Sequence, residues 1–224
     1  MFALPVRILI AATIGAALAS ADDAERQAQP PPPPSPALPT GAVLFSDDFS
    51  GGDLGRWEPD RQGVWTVRRG MLRADLPDER QVRSFLYAGS PDWRDVAVDL
   101  DVCAMRGVDK GVALRVNGGT GIGVDLRGPG YQDVLLHRRE RSLGKARALN
   151  ANGVWNHLRL EAVGTHYRVY VNGRLAIDRE HAKGGAHPGR IALAAYTGGV
   201  GQCTVWYDNV VVTALDTLAT VGVK

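Results

Sequence analysis

"GVALRVNGGTGIGVDLRGPG", residues 111–130, admits two readings that lead to different folds. Gly119, Gly121 and Gly123 look at first like a phosphate-cradling loop. Such a loop needs G-x-G-x-x-G directly after a strand and opening a helix, so that a pyrophosphate meets unpaired amides at the helix N-terminus. The third glycine of that pattern falls at position 124, which is Val124, and "VDLRGPG" alternates as a strand until Pro129 and Gly130 end it. The stretch therefore reads as a hairpin, "GVALRV" and "GIGVDL" joined by a glycine-rich turn. Gly123 then relieves crowding where the strand bends or a ligand approaches.

The same texture extends on both sides. Short alternating runs such as "VAVDLDV", "DVLLHR", "NHLRLEAV", "GRIALAAY" and "CTVWYDNVVV" are separated by turn residues. No segment between Val43 and Thr213 repeats apolar residues at i, i+3, i+4 and i+7 over a helical length. The clearest local signal is "YRVYVNGRLAID", where Asn172-Gly173 suits the two positive-φ positions of a type I′ turn. Short strands with frequent turns predict an all-β sandwich or barrel with little or no helix.

The ends differ from this. Arg7 followed by "ILIAATIGAALA" and an A-x-A site predicts an export signal over 1–19, with the mature chain periplasmic or extracellular. Residues 20–42 carry the run Pro30–Pro34, which suits an extended polyproline spacer rather than a packed element. The globular domain is expected over 43–214, and 215–224 form a tail. No later stretch is apolar enough to hold the processed chain in a membrane. A net charge of +2 supplies no basic excess that would argue for nucleic acid. The two cysteines, Cys103 and Cys203, could form one disulfide in an oxidising compartment or remain buried thiols.

Alternation sorts the side chains of the glycine-rich region. Val112, Leu114, Val116, Ile122, Val124, Leu126, Val134 and Leu136 are expected inside. Arg115, Asn117, Asp125, Arg127, Asp133 and His137 are expected together on the opposite face. Such a face could bind sugar hydroxyls by charge-assisted hydrogen bonds, let a carboxylate and imidazole share proton transfer, or be a solvated face laced with ion pairs. Tyr131 and Trp155 offer flat apolar surfaces at its rim. No GxSxG elbow or HExxH is present, so serine-hydrolase and zincin chemistry drop out. His181 and His187 in "EHAKGGAHPGR" lack a third ligand nearby. Asp48 and Asp208, brought together if the first and last strands pair, could hold a structural calcium or simply cap turns.

Three segments in this order, "LFSDDFSGGDLGRW…GVWTVRRGMLRAD", "NGVWNHLRLEAVGTHYRVYVNGRLAID" and "HPGRIALAAYTGGVGQCTVWYDNVVV", resemble concanavalin A-like (laminin G-like) jelly-roll domains. Within these they resemble the 3-keto-disaccharide hydrolase domain family, over about residues 43–214. The resemblance implies a two-sheet antiparallel jelly-roll sandwich whose concave sheet takes a glycan or small saccharide. In "DKGVALR", Gly111 and Arg115 match that family's motif, and Asp109 and Lys110 stand where it has an Asn-Ser pair. Closing the jelly roll would lay "VAVDLDVC" beside "CTVWYDNVVV", which could set Cys103 opposite Cys203. Two functions follow: a carbohydrate-recognition domain using Arg115, Asp125, Arg127, Tyr131, His137 and Trp155, or a glycosidase or lyase of 3-keto-glycosides with Asp125 and His137 as candidate catalytic groups. A third reading is a non-catalytic envelope module that binds protein.

Overall fold

The computed structural model describes residues 41–139, 141–182 and 186–215. The expected export signal, residues 20–40 of the spacer and residues 216–224 of the tail lie outside them. The described chain is two antiparallel sheets with no α-helix among the described residues. Among these residues fifteen strands run in chain order: β1 (Val43–Asp47), β2 (Glu58–Pro59), β3 (Trp65–Arg68), β4 (Met71–Leu76), β5 (Arg83–Ala88), β6 (Val96–Arg106), β7 (Asp109–Asn117), β8 (Thr120–Arg127), β9 (Asp133–Arg138), β10 (Arg141–Arg147), β11 (Asn156–Val163), β12 (His166–Val171), β13 (Arg174–Glu180), β14 (Arg190–Tyr196) and β15 (Cys203–Ala214). One sheet is ordered β13-β12-β11-β6-β15-β4-β3, with β1 also paired to β15. The other is ordered β10-β9-β8-β7-β14-β5-β2. This is the sandwich that the alternation allows and the jelly roll that the family resemblance implies.

The core lies between the sheets. Val98, Leu100 and Val102 of β6 and Leu158 and Leu160 of β11 face Val112, Leu114, Val124, Leu126 and Leu136 of the opposite sheet, all fully buried or nearly so. Burying each such side chain is worth about 1.5–3 kcal/mol, so this layer supplies most of the driving force. Tyr207 of β15 ties the sheets together. Its hydroxyl donates to the carbonyl of Ala194, lies 3.2 Å from the carbonyl of Gly111, and accepts from the Gly111 amide at 3.0 Å.

Both predicted turns form. Asn172 and Gly173 have φ of 50° and 74°, and Gly118 and Gly119 have 53° and 74°, each pair linking adjacent strands through two residues. These are the positive-φ pairs of type I′ geometry, which glycine adopts at no steric cost.

The expected disulfide is not formed: Cys103 and Cys203 are both free and buried. The two strands do pair, but their register sets Cys103 opposite Trp206 and Cys203 opposite Leu76. Cys203 belongs to the core while Cys103 is in phase with Asp99 and Asp101 on the outer face, so the thiols address opposite sides of one sheet. Burial pushes the Cys103 thiol up to about 11 and the Cys203 thiol up to about 12.

Candidate functional site

The outer face of the β10-to-β2 sheet carries a cleft of about 320 Å³. Its floor is small: Ala113 of β7, Gly123 of β8 and Ala194 of β14. Asp109, Asp125, Arg127, Tyr131, His137 and Tyr196 rise around it, and Phe85 and Leu135 add apolar wall. The polar residues share this face because β7, β8 and β9 alternate in phase. Asp109 is paired with Arg127, Gly111 with Asp125, Gly123 with His137, and Arg127 with Asp133.

Gly123 has a direct consequence for the imidazole. A Cβ there would lie 2.6 Å from Nε2 and 2.7 Å from Cε1 of His137. The missing side chain lets the ring lie across the sheet and bring Nε2 within 3.0 Å of Asp125 Oδ2. Arg127 forms a bidentate pair with Asp133, at 2.7 and 2.8 Å, and its guanidinium lies 4.3 Å from the centre of the Tyr131 ring. Tyr131 itself is 58% exposed, an aromatic plane open to a ligand.

Asp109 is not among the site residues expected from alternation, yet it lines the same cleft. Its Oδ1 is buried with no hydrogen-bond partner among the described residues. Burial, reinforced by the Asp125 carboxylate, pushes the Asp109 carboxyl up to about 6, against the opposing pull of Arg127 and Lys110. The sequence does carry a signal for it, since Asp109 sits two residues before Gly111 on the strand that carries the motif, in phase with the outward positions.

Arg115 does not join this face. A bulge between Leu114 and Asn117 shifts the register, and Arg115 takes a φ of 56°. An extra residue in one strand reverses the facing of the residues after it, so the side chain turns inward. Nε donates to the Arg94 carbonyl at 3.0 Å, Nη1 to the Gly164 carbonyl and the Tyr167 hydroxyl, and Nη2 to Asp95. With its side chain 3% exposed, Arg115 is a clamp between loops and not a ligand contact on this cleft. Val116, expected in the core, becomes half-buried for the same reason, and Asn117 is exposed at the turn. Trp155, half-buried before β11 in the other sheet, is not among the residues lining the cleft.

The first and last strands do pair, Asp47 opposite Val210. Asp48, however, is engaged by the amide and hydroxyl of Ser50, and Asp208 accepts from the Asn209 amide. Burial pushes the Asp208 carboxyl up to about 6, with Asp101 and Asp48 acting in the same direction. Among the described residues no three His, Cys, Asp or Glu side chains converge to hold a metal.

A second polar cluster, on the outer face of the β13-to-β3 sheet, is not legible from alternation alone. His157 sits between Asp101, 2.9 Å from Nδ1, and Asp99, 3.3 Å from Nε2. Arg159 joins Asp99 to Glu161, and Asn209 donates to Asp101. Burial opposes the His157 charge, but the hydrogen bonds to Asp101 and Asp99 outweigh it and raise the imidazole to about 9. The cluster is a ladder of alternating charge in which Arg159 Nη2 is buried without a hydrogen-bond partner among the described residues.

Comparison with known proteins bears on the cleft. Residues 44–213 match the family described as 3-keto-alpha-glucoside-1,2-lyase-like domain. The chain belongs to that family. Among solved structures the fold is similar to carbohydrate-binding module CBM66 from Bacillus subtilis, at 16% identity and a TM-score of 0.60, covering 71% of this chain and 96% of that one. It is also similar to a Bacillus subtilis protein with a galectin-like fold, at 11% identity and a TM-score of 0.60, covering 78% and 97%. LamA from Z. galactanivorans, solved with laminaritriose and laminaritetraose, matches at 13% identity and a TM-score of 0.58, covering 78% and 100%. At these identities the likeness is one of fold. No curated protein matches the chain.

Proposed function

We propose that this chain is an exported carbohydrate-recognition domain that binds a saccharide on the outer, concave face of its β10-to-β2 sheet. The observation that carries the reading is the cleft itself. A floor of Ala113, Gly123 and Ala194 lets a flat ring approach the sheet, while Asp125, Arg127 and His137 present charged hydrogen-bonding groups. Hydrogen bonds with one ionised partner are roughly twice as strong as neutral ones, and sugar hydroxyls both donate and accept. Tyr131, stacked on Arg127 and exposed on its other side, supplies a plane for the apolar face of a ring. Export rests on the apolar stretch after Arg7 and the A-x-A site.

A second reading, elimination at a 3-keto-glycoside, is favoured by membership of the lyase-like family and by the 3.0 Å contact between His137 and Asp125. A carboxylate beside an imidazole raises its basicity and orients it, which suits proton abstraction next to a ketone. Calorimetric titration of ordinary and 3-keto glycosides, with sugar analysis of the same mixtures, separates the two. Saturable binding without product supports recognition alone, whereas product formation abolished by His137→Ala or Asp125→Ala supports the enzyme. No binding and no product would refute both.

A further inference from the structure

The geometry points to Asp109 as a proton donor to the departing oxygen of a glycoside held in the cleft, opposite the Asp125–His137 pair. The inference rests on the elimination reading and assigns the acid that such a reaction needs. Asp109 and Asp125 lie on adjacent strands of one face, diagonally across the register, since Asp109 is opposite Arg127 and Asp125 opposite Gly111. Side chains at diagonal positions of this kind reach over the same patch of the sheet, and both carboxyls line the one cleft. Their surroundings differ. Asp125 faces the His137 imidazole, whereas Asp109 Oδ1 is buried and unpartnered among the described residues.

The groups facing Asp109 are Asp125, Arg127 and Asp133 from β8 and β9, Lys110 beside it, and Gly198, where a Cβ would stand 3.5 Å from Oδ2. Arg127 is already committed to Asp133, and Lys110 turns inward to the Val108 carbonyl. The acid form is retained to higher pH than in an ordinary aspartate, in line with the carboxyl being raised to about 6. A carboxyl that keeps its proton in this way can serve as the acid of an acid–base pair.

The step balances without a further reactant. The Asp125–His137 pair takes the proton from the carbon between the ketone and the anomeric carbon. The electron pair of that C–H bond becomes the new C=C bond to the anomeric carbon, and the anomeric C–O bond breaks. The departing oxygen takes the Asp109 proton and leaves as an alcohol, and solvent returns the proton from the base to Asp109.

The test uses the full chain and two probes, methyl 3-keto-α-glucoside and 4-nitrophenyl 3-keto-α-glucoside. Nitrophenolate departs without protonation, so Asp109→Asn should slow the methyl glycoside about 100-fold or more and the nitrophenyl glycoside less than about 5-fold. In the wild type, kcat/KM for the methyl glycoside should fall above about pH 6 while the nitrophenyl profile lacks that limb, a comparison that requires no variant. Equal losses on both probes, or identical pH profiles, would overturn the assignment. Binding of both probes with turnover of neither would also overturn it and leave the recognition reading standing. Absence of binding would remove both.

Discussion

Replacing Gly123 by alanine tests the site with a single methyl group. The added Cβ would stand 2.6 Å from His137 Nε2 and 2.7 Å from Cε1, closer than carbon and nitrogen tolerate. The obstructing atoms are the end of a rotatable side chain on a cleft, so the ring swings away and the backbone stays. Stability should therefore change by less than about 1 kcal/mol, because alanine also recovers the roughly 0.5–1 kcal/mol that glycine costs inside a strand. Ligand binding should suffer more. The displaced imidazole loses its place beside Asp125 and any hydrogen bond it makes to a saccharide. A hydrogen bond to a charged group is worth about 1.5–3 kcal/mol, or roughly a 10- to 100-fold weakening. Thermal unfolding and calorimetric titration with the same saccharide read the two effects on one sample. An unchanged dissociation constant, with a structure of the variant showing the ring still beside Asp125, would refute the argument that Gly123 exists to seat His137.

The same geometry carries further expectations. Truncating Arg115 to alanine removes its bonds to Asp95, Tyr167 and two backbone carbonyls, and should cost about 3–5 kcal/mol in denaturant unfolding; the folded fraction should bind saccharide as before, and weakened binding without destabilisation would contradict the clamp role. His157 is raised from 6.5 to about 9 by its two aspartates, so its contribution is complete below about pH 6.5 and is lost as the pH rises through 9. The expected loss, up to about 3 kcal/mol, should vanish from the pH dependence of His157→Ala. Asp109 carries a raised carboxyl and so costs stability above pH 6; Asp109→Asn should raise the melting temperature at pH 8 and leave it unchanged at pH 4. Neither cysteine should react with iodoacetamide in the native protein, and both should react once it is unfolded without reductant. A mass short of two hydrogens in the unreduced chain would restore the disulfide.

How legible each feature is in the sequence depends on how local it is. The type I′ turns at Gly118-Gly119 and Asn172-Gly173 are written in two residues each, and the alternation of "GIGVDLRG" fixes which side of β8 Asp125 and Arg127 occupy. Nothing distant has to be known for either. Alternation puts Arg115 on the wrong face because its facing depends on a bulge. That bulge is accommodated by Gly189, where a Cβ would lie 2.4 Å from the Arg115 carbonyl carbon. Nothing in "VALRVNG" alone signals that Gly189, just ahead of β14, makes such room. For Cys103 and Cys203 the expected strand pairing is right and its register is not. Bulges at Thr204 and near Asp208 shift that register. The His157 cluster is hidden because its partners, Asp99 and Asp101, are more than fifty residues away on β6. "VDLDV" and "NHLRLE" each show the outward positions, but only the pairing of His157 with Asp101 joins them.

The two outer faces differ in how their charged groups are matched. Both sheets present carboxylates, arginines and a histidine at alternate positions, so composition and periodicity do not distinguish them. On β6 and β11 the charges close on one another. Asp99 is shared by His157 and Arg159, Arg159 reaches Glu161, and Asp101 is taken by His157 and Asn209. Opening this ladder would leave buried charge uncompensated, although Arg159 Nη2 is itself without a partner among the described residues. On β7, β8 and β9 the balance is different. Three carboxyls, Asp109, Asp125 and Asp133, meet Arg127 and His137, and these two are matched to Asp133 and Asp125. Asp109 remains over, held in a cleft whose floor has been reduced to glycine and alanine. A fold selected only for stability would have no reason to keep a buried, unpartnered carboxyl beside another. The remaining hydrogen-bonding capacity of that face is what a saccharide would complete, and substitution of Asp109 decides whether it completes it by binding alone or by accepting a proton.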